Sequence, residues 1–329
     1  MLDRPRSSLA TLPTPLEEAG RPLEDGPRLW LKRDDLTGLG GGGNKARKLE
    51  FLCGEAMSLG SRALVTVGAA QSNHCRMTAA AGARLGLEVH LVLGGDAAEG
   101  SPTGNQLLAT MFGAQLHHTG VAESHWGELE VARESLTDEL AGQGLAPYSI
   151  PMGGSTALGA LGYAVAFEEL MGQCAQVGAR PAAVVVTSSS GGTHAGLLAG
   201  RAAMVADGRL DASTAPDVVA VGVARGVTMG LPDIAQLGDD VLALMGRPAA
   251  LGPDDVEVDA RWMGDDYAVP TEPGDAAVAW AARTGGWLMD RTYSGKGLSG
   301  ALAMIAEGRW GRDDDVVFVH TGGWPALFA

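Results

Sequence analysis

Residues 182–206 read AAVVVTSSSGGTHAGLLAGRAAMVA, and the fold class follows from this stretch. Ala182–Val186 is an apolar, Val-rich run, the length of one strand buried on both faces. Small and hydroxyl residues follow, Ser188-Ser189-Ser190-Gly191-Gly192-Thr193-His194. Ala195–Ala206 then has helical spacing. Strand, turn of small residues and helix form the unit of a parallel α/β sheet. Similar apolar runs stand at Ala63–Val67, Val89–Leu93, Val218–Val223 and Val316–Val319, and Leu29–Lys32 predicts a shorter strand. Ala-rich helical stretches include Met77–Leu85 and Leu158–Met171. A chain of 329 residues exceeds the usual single domain, so two domains or one large α/β unit are expected. The segment up to about Gly26 carries prolines at 5, 13, 15 and 22 and is expected to be irregular. Gly95–Ser101 and Asp207–Pro216 are expected to be surface loops.

Composition narrows the function. Apolar residues make up 46% and charged residues 19%, as in an ordinary folded protein with a sizeable core. A net charge of −15 argues against nucleic acid as a partner, because phosphate backbones need clustered Lys and Arg. Cys53, Cys75 and Cys174 are odd in number, widely spaced and without a CxxC pair. That fits a reducing compartment and no structural zinc. The N-terminus lacks the apolar stretch of a signal peptide, and no run reaches membrane-spanning length, so a cytoplasmic protein is expected.

Three turns carry candidate chemistry. The first is Gly40-Gly41-Gly42-Gly43, leading through Asn44 to Lys45 at the predicted start of a helix. Asn44 is a candidate N-cap and Gly60 a stop. A lysine at the positive end of a helix dipole is unfavourable, which points to function. If desolvated, its amine is more readily neutral and nucleophilic. The alternative is a flexible loop ending in a solvated lysine. The second turn is Gly68-Ala69-Ala70-Gln71-Ser72-Asn73-His74, whose N–H groups and side chains suit a carboxylate, or else simply cap the next helix. The third, Ser188–His194, is a candidate phosphate cradle or a plain capped turn. There is no Walker A loop and no GxSxG elbow. His117-His118 are expected at a strand end on the surface, and His90 and His125 have no partner by pattern.

Together these motifs resemble one family. Lys32-Arg33-Asp34-Asp35 and Gly43-Asn44-Lys45-Ala46-Arg47-Lys48-Leu49-Glu50 are similar to the lysine segment of the D-cysteine desulfhydrase and 1-aminocyclopropane-1-carboxylate (ACC) deaminase family. This is a group of fold-type-II enzymes dependent on pyridoxal 5'-phosphate (PLP). Gln71–His74, Ser190–Gly196, Asp266–Pro270, Tyr293–Gly297 and His320–Gly323 resemble its further motifs in the same order, over nearly the whole chain.

The resemblance implies two open, twisted, mostly parallel α/β domains with PLP in the cleft between them. The larger would comprise 1–47 and 159–329, the smaller 48–158. It implies a Schiff base of PLP on Lys45, which also serves as base. Lys48 with Ser190, Gly191, Gly192 and Thr193 would hold the phosphate, Asn73 the 3-oxygen and Thr321 the pyridine nitrogen. Ser72, Asn73 and His74 would meet the substrate, as would Tyr267 and Tyr293. The activity implied is β-elimination from a small amino acid, D-cysteine first, in a homodimer. ACC deamination, cysteate sulfo-lysis, a racemase or dehydratase, and a PLP-binding protein without turnover are the rivals. Arg291-Thr292 before Tyr293 and Cys75 after His74 depart from the family pattern, and both are expected beside the substrate pocket. In ACC deaminases Glu follows the equivalent tyrosine and Leu follows the last histidine. Here Ser294 and Thr321 stand there, which favours β-elimination.

Overall fold

The computed structural model describes residues 4–97, 100–224 and 233–329. Ala98 and Glu99 of the expected loop Gly95–Ser101 lie outside them, as do the first three residues of the N-terminal segment.

Two sheets organise the described residues. The larger has β1 (Leu16–Gly20), β2 (Arg28–Lys32), β7 (Pro181–Ser188), β8 (Asp217–Gly222), β9 (Glu257–Asp259) and β10 (Asp315–Val319), in the order β1-β2-β10-β7-β8-β9. The smaller has β3 (Ala63–Gly68), β4 (Glu88–Leu93), β5 (Gln115–His118) and β6 (Pro147–Ile150), in the order β5-β4-β3-β6. Every pairing is parallel except β1 with β2. The segment before Gly26 therefore contains a strand where none was expected. β1 has a single strand neighbour, is only half-buried and shifts register between Glu18 and Gly20, so it carries no clean apolar alternation.

The period-2 geometry of a strand explains the cores. Val184 and Val186 face one side of the large sheet and join α5 (Ala157–Val177) and α6 (Gly192–Ala206) through Phe167, Leu170 and Leu197. Ala183 and Val185 face the other side and join α8 (Glu272–Gly285) and α9 (Ser294–Ala306). In the small sheet, Leu64 and Leu91 meet α1 (Lys45–Ser58) and α2 (Asn73–Leu85), while Val67 and Val92 face α4 (Trp126–Gly142) through Leu129. Both sheets are covered on both faces, as parallel sheets require. α1 is shared: Leu49 and Leu52 belong to the small-sheet core, and Phe51 packs with α5 and α6. The expected divisions at 47/48 and 158/159 fall in the first turns of α1 and α5.

A buried ionic cluster clamps the start of α1. Arg47 bonds both oxygens of Asp34, both oxygens of Glu169 and the Thr14 hydroxyl. Lys32 Nζ donates to Glu169, to the Thr14 carbonyl and to Gln173, and Tyr163 donates to Asp34. Arg47 and its neighbours hold the Asp34 carboxyl below its ordinary range despite full burial.

Candidate active site

In both sheets the chain order reverses beside one strand, β3 with β6 on its other side and β7 with β10. Ligands of open α/β sheets bind beyond the carboxyl ends of strands at such points. One cavity is lined from all four: Gly68, Ala69 and Ser72–His74 at and after β3, Met152 and Gly153 after β6, Thr187–Gly191 and Thr193 at the end of β7, and Thr321 after β10. Asn44, Lys45, Tyr267 and Tyr293 complete it. Its free space is about 700 Å³ with the solvent at its open mouth included.

Lys45 opens α1, and the glycines before it are sterically required. At Gly42, with φ +81°, a Cβ would lie 1.8 Å from the Asp35 carbonyl. Asn44 does not cap the helix as expected. It is itself helical, its Nδ2 donates to Thr193 Oγ1 at 3.0 Å, and its Oδ1 accepts from Lys45 Nζ at 3.2 Å. The Asn44 side chain thus joins two of the predicted turns. Burial draws the Lys45 amine down to about 8; Asp290 opposes the shift and Arg76 adds to it.

Lys48 and Gly192 lie just behind the cavity wall. Lys48 Nζ donates to the Gly153 carbonyl and to Ser155 Oγ, and no carboxylate among the described residues pairs with it. Burial and Lys45 pull its pKa well below the ordinary lysine value. Gly191, at φ +80°, starts α6 without a side-chain cap. Thr187 Oγ1 and Ser188 Oγ are buried without hydrogen-bond partners. A buried lysine amine with no carboxylate partner, unpartnered hydroxyls and an uncapped helix N-terminus suit a bound phosphate, whose charge would favour the protonated amine. Pyridoxal phosphate therefore fits this site, with Lys45 within the same cavity.

Ser72 caps α2, its Oγ accepting from the Cys75 N–H at 3.2 Å, so its own proton remains to donate. His74 Nε2 lies 2.8 Å from Thr66 Oγ1, and the Thr66 hydroxyl donates to the Ile150 carbonyl. With that proton used, Thr66 accepts from His74 Nε2–H, and Nδ1 keeps a lone pair that has no partner. Burial holds His74 neutral. Cys75 does not line the cavity; its Sγ packs behind Gly68, 2.9 Å from where a Cβ would stand.

Tyr267 and Tyr293 share a hydrogen bond between their hydroxyls. Burial raises both phenol pKa values, and Asp290 and Glu123 raise them further. Arg291 is turned outward onto Asp275 and is not beside the pocket. Asp290, missed in the sequence although it stands three residues before Tyr293, is fully buried and accepts from the N–H groups of Thr292 and Tyr293. Ser294 is spent on Asp290 and the Gly322 carbonyl and does not line the cavity. Thr321 does. Arg76, Asn105 and Ser155 were also missed; the spacing of Asn73 and Arg76, i to i+3 on one helix face, was the available signal for Arg76.

Two histidine expectations are corrected. His90 Nδ1 lies 3.2 Å from His117 Nε2 because β4 and β5 are neighbours, and His125 pairs with Glu128. Neither pair lines the cavity.

A family model described as pyridoxal-phosphate dependent enzyme matches residues 7–322. The chain belongs to this family. Its cofactor is pyridoxal 5'-phosphate, and its fold is the type II fold of PLP enzymes. A D-cysteine desulfhydrase of Salmonella choleraesuis is 39% identical, covering 99% of this chain and 96% of the relative. The crystal structure of an ACC deaminase homologue is 31% identical with a TM-score of 0.85, covering 99% of this chain and 94% of that one. The L-serine ammonia-lyase of Rhizomucor miehei, 19% identical with a TM-score of 0.66 over 96% of this PLP enzyme and 95% of its own chain, shares the fold.

Proposed function

We propose that this PLP enzyme is a D-cysteine desulfhydrase, converting D-cysteine and water to pyruvate, ammonia and hydrogen sulfide. One observation carries the proposal: a lysine amine drawn down to about 8 and a pair of protonated phenols share one cavity. The first is a base and the second an acid at neutral pH. The 39% identity to a D-cysteine desulfhydrase over the full chain supports the substrate.

Bound PLP supplies the electron sink that acidifies the substrate Cα–H. Lys45 anchors the cofactor covalently and, once free, moves the Cα proton. Lys48, Ser190, Gly191, Gly192 and Thr193 hold the phosphate, Asn73 the 3-oxygen and Thr321 the ring nitrogen. Ser72 donates its proton to the substrate carboxylate, with Asn73 and His74 beside it. Tyr293, kept protonated by its surroundings, donates to the departing sulfur, and Tyr267 orients it. We read the large sheet as the core of the domain formed by 1–47 and 159–329, and the small sheet as that of 48–158, with the boundaries in α1 and α5. We also read the chain as a cytoplasmic homodimer. The three described cysteines are free and buried, as in a reducing compartment, and no helix among the described residues is long and apolar enough to cross a membrane.

ACC deamination is the second function considered, favoured by the ACC deaminase homologue. Ser294, spent on Asp290, argues against it. The test is a panel of D- and L-cysteine, cysteate and ACC, assayed for pyruvate, 2-oxobutanoate, sulfide and sulfite. Sulfide and pyruvate from D-cysteine are expected. Efficient 2-oxobutanoate formation from ACC with negligible sulfide overturns the assignment.

A further inference from the structure

Arg76 is fully buried on α2, and among the described residues no carboxylate forms an ion pair with it. Its Nη1 donates to Asn73 Oδ1 at 2.9 Å and to Asn105 Oδ1 at 2.7 Å, and its Nη2 donates to the Gly42 carbonyl at 2.7 Å. Asn105 Nδ2 donates to the same Asn73 oxygen at 3.0 Å. A guanidinium has donors only, so every atom it meets here is an oxygen. That decides both amides. Asn105 turns its oxygen to Arg76 and its nitrogen to Asn73. Asn73, with its oxygen held by two donors, has only Nδ2 left for the cavity it lines. Gly42 is part of the glycine loop that leads into Lys45. An unpaired buried guanidinium is costly to stability, and packing needs alone do not explain its place.

We propose that Arg76 is a positioning residue of the cofactor site, locking Asn73 so that its amide N–H groups, never its oxygen, face the cofactor. A donor-only face recognises an anionic or accepting oxygen and repels none of its lone pairs. The same guanidinium ties this amide to the glycine loop before Lys45, so the covalent anchor and the recognition amide keep one spacing. The inference rests on the cofactor contact proposed for Asn73 and is independent of the substrate.

The test is a double-mutant cycle on full-length protein, reading the PLP dissociation constant from the visible absorbance together with the melting temperature. With Asn73 present, Arg76→Lys should weaken PLP binding about tenfold, the scale of a hydrogen bond to a charged group. In an Asn73→Ala background it should weaken binding by less than about twofold, since interacting sites are not additive. A merely structural arginine would give equal losses in both backgrounds, and that result overturns the proposal. If Asn73→Ala alone leaves binding unchanged, the Asn73 contact falls and the proposal with it. If Arg76→Lys does not fold, Arg76→Gln replaces it. A readout on the parent protein needs no arginine variant: with asparagine side chains labelled with nitrogen-15, PLP should shift the Asn73 amide signals, identified by their loss in Asn73→Ala. Unmoved signals overturn the proposal.

Discussion

Gly192→Ala tests the phosphate cradle with a single methyl group. Gly192 sits in the first turn of α6, in a backbone conformation open to alanine. Its Cβ would lie 2.7 Å from Lys48 Nζ, 2.8 Å from Ser155 Oγ and 3.0 Å from Ser155 Cα. Lys48 and Ser155 hold each other and are tied to Gly153 and Ser190, so they give way only by distorting the cradle. Overpacking of this kind costs about 1–3 kcal/mol. Spent on cofactor binding, that is about a 5- to 150-fold rise in the PLP dissociation constant. Stability should change little, because replacing glycine by alanine in a helix returns up to about 1 kcal/mol. The assay pairs PLP titration with a thermal melt, and uses Gly172→Ala in α5, with nothing within 4 Å, as control. A dissociation constant within twofold of the parent, or the same loss in the control, refutes the cradle.

Tyr293→Phe should lower turnover by about 10²-fold or more, the scale of general acid–base groups, with PLP still bound; unchanged kcat removes the phenol from the reaction. Covalent capture of PLP by the protein freed of cofactor should titrate with Lys45. Its pKa is lowered from 10.5 to about 8, so the neutral amine is favoured in the fold, and capture should rise with pH and level above about 8. A midpoint near 10.5 would contradict the burial of that amine. The sign for stability is the same, since an amine with a depressed folded pKa adds stability as pH rises from about 8 toward 10.5. Arg47→Met should cost about 3–5 kcal/mol by stranding the Asp34 and Glu169 carboxylates. With about 2.1 cal/mol/K of unfolding entropy per residue, that is a melting temperature about 4–7 °C lower; a calorimetric shift under about 2 °C would mean that Lys32 alone neutralises the cluster.

Strand and helix periods are local, and so the five Val-rich runs and three Ala-rich helices were legible in order, as was the parallel α/β class. Glycine is equally local: the Gly40–Gly43 run marked a backbone with left-handed φ values, and the turns after β3 and β7 marked helix starts. Family resemblance added roles to matched positions, and the cavity brings most of those residues together, with Lys48 and Gly192 immediately behind its wall. Edge strands such as β1 and β9 were not legible, because a strand with one neighbour and half its surface in solvent keeps no apolar signature.

The hydrogen-bond partners were settled only by the tertiary structure. Asn44 carries the sequence mark of an N-cap, yet its amide bridges Lys45 and Thr193 across 149 positions of chain. Arg291 adjoins a pocket tyrosine in sequence but points away from it, while Asp290, one residue earlier, is buried beneath the site. Asn105 meets Asn73 and Arg76 only when α2 packs against α3 (Gly104–Met111). Propensity and periodicity depend on a residue and its near neighbours, and so one chain suffices to read them. The direction of a buried donor depends on which acceptors folding brings within 3 Å of it, and those come from segments that the sequence keeps far apart.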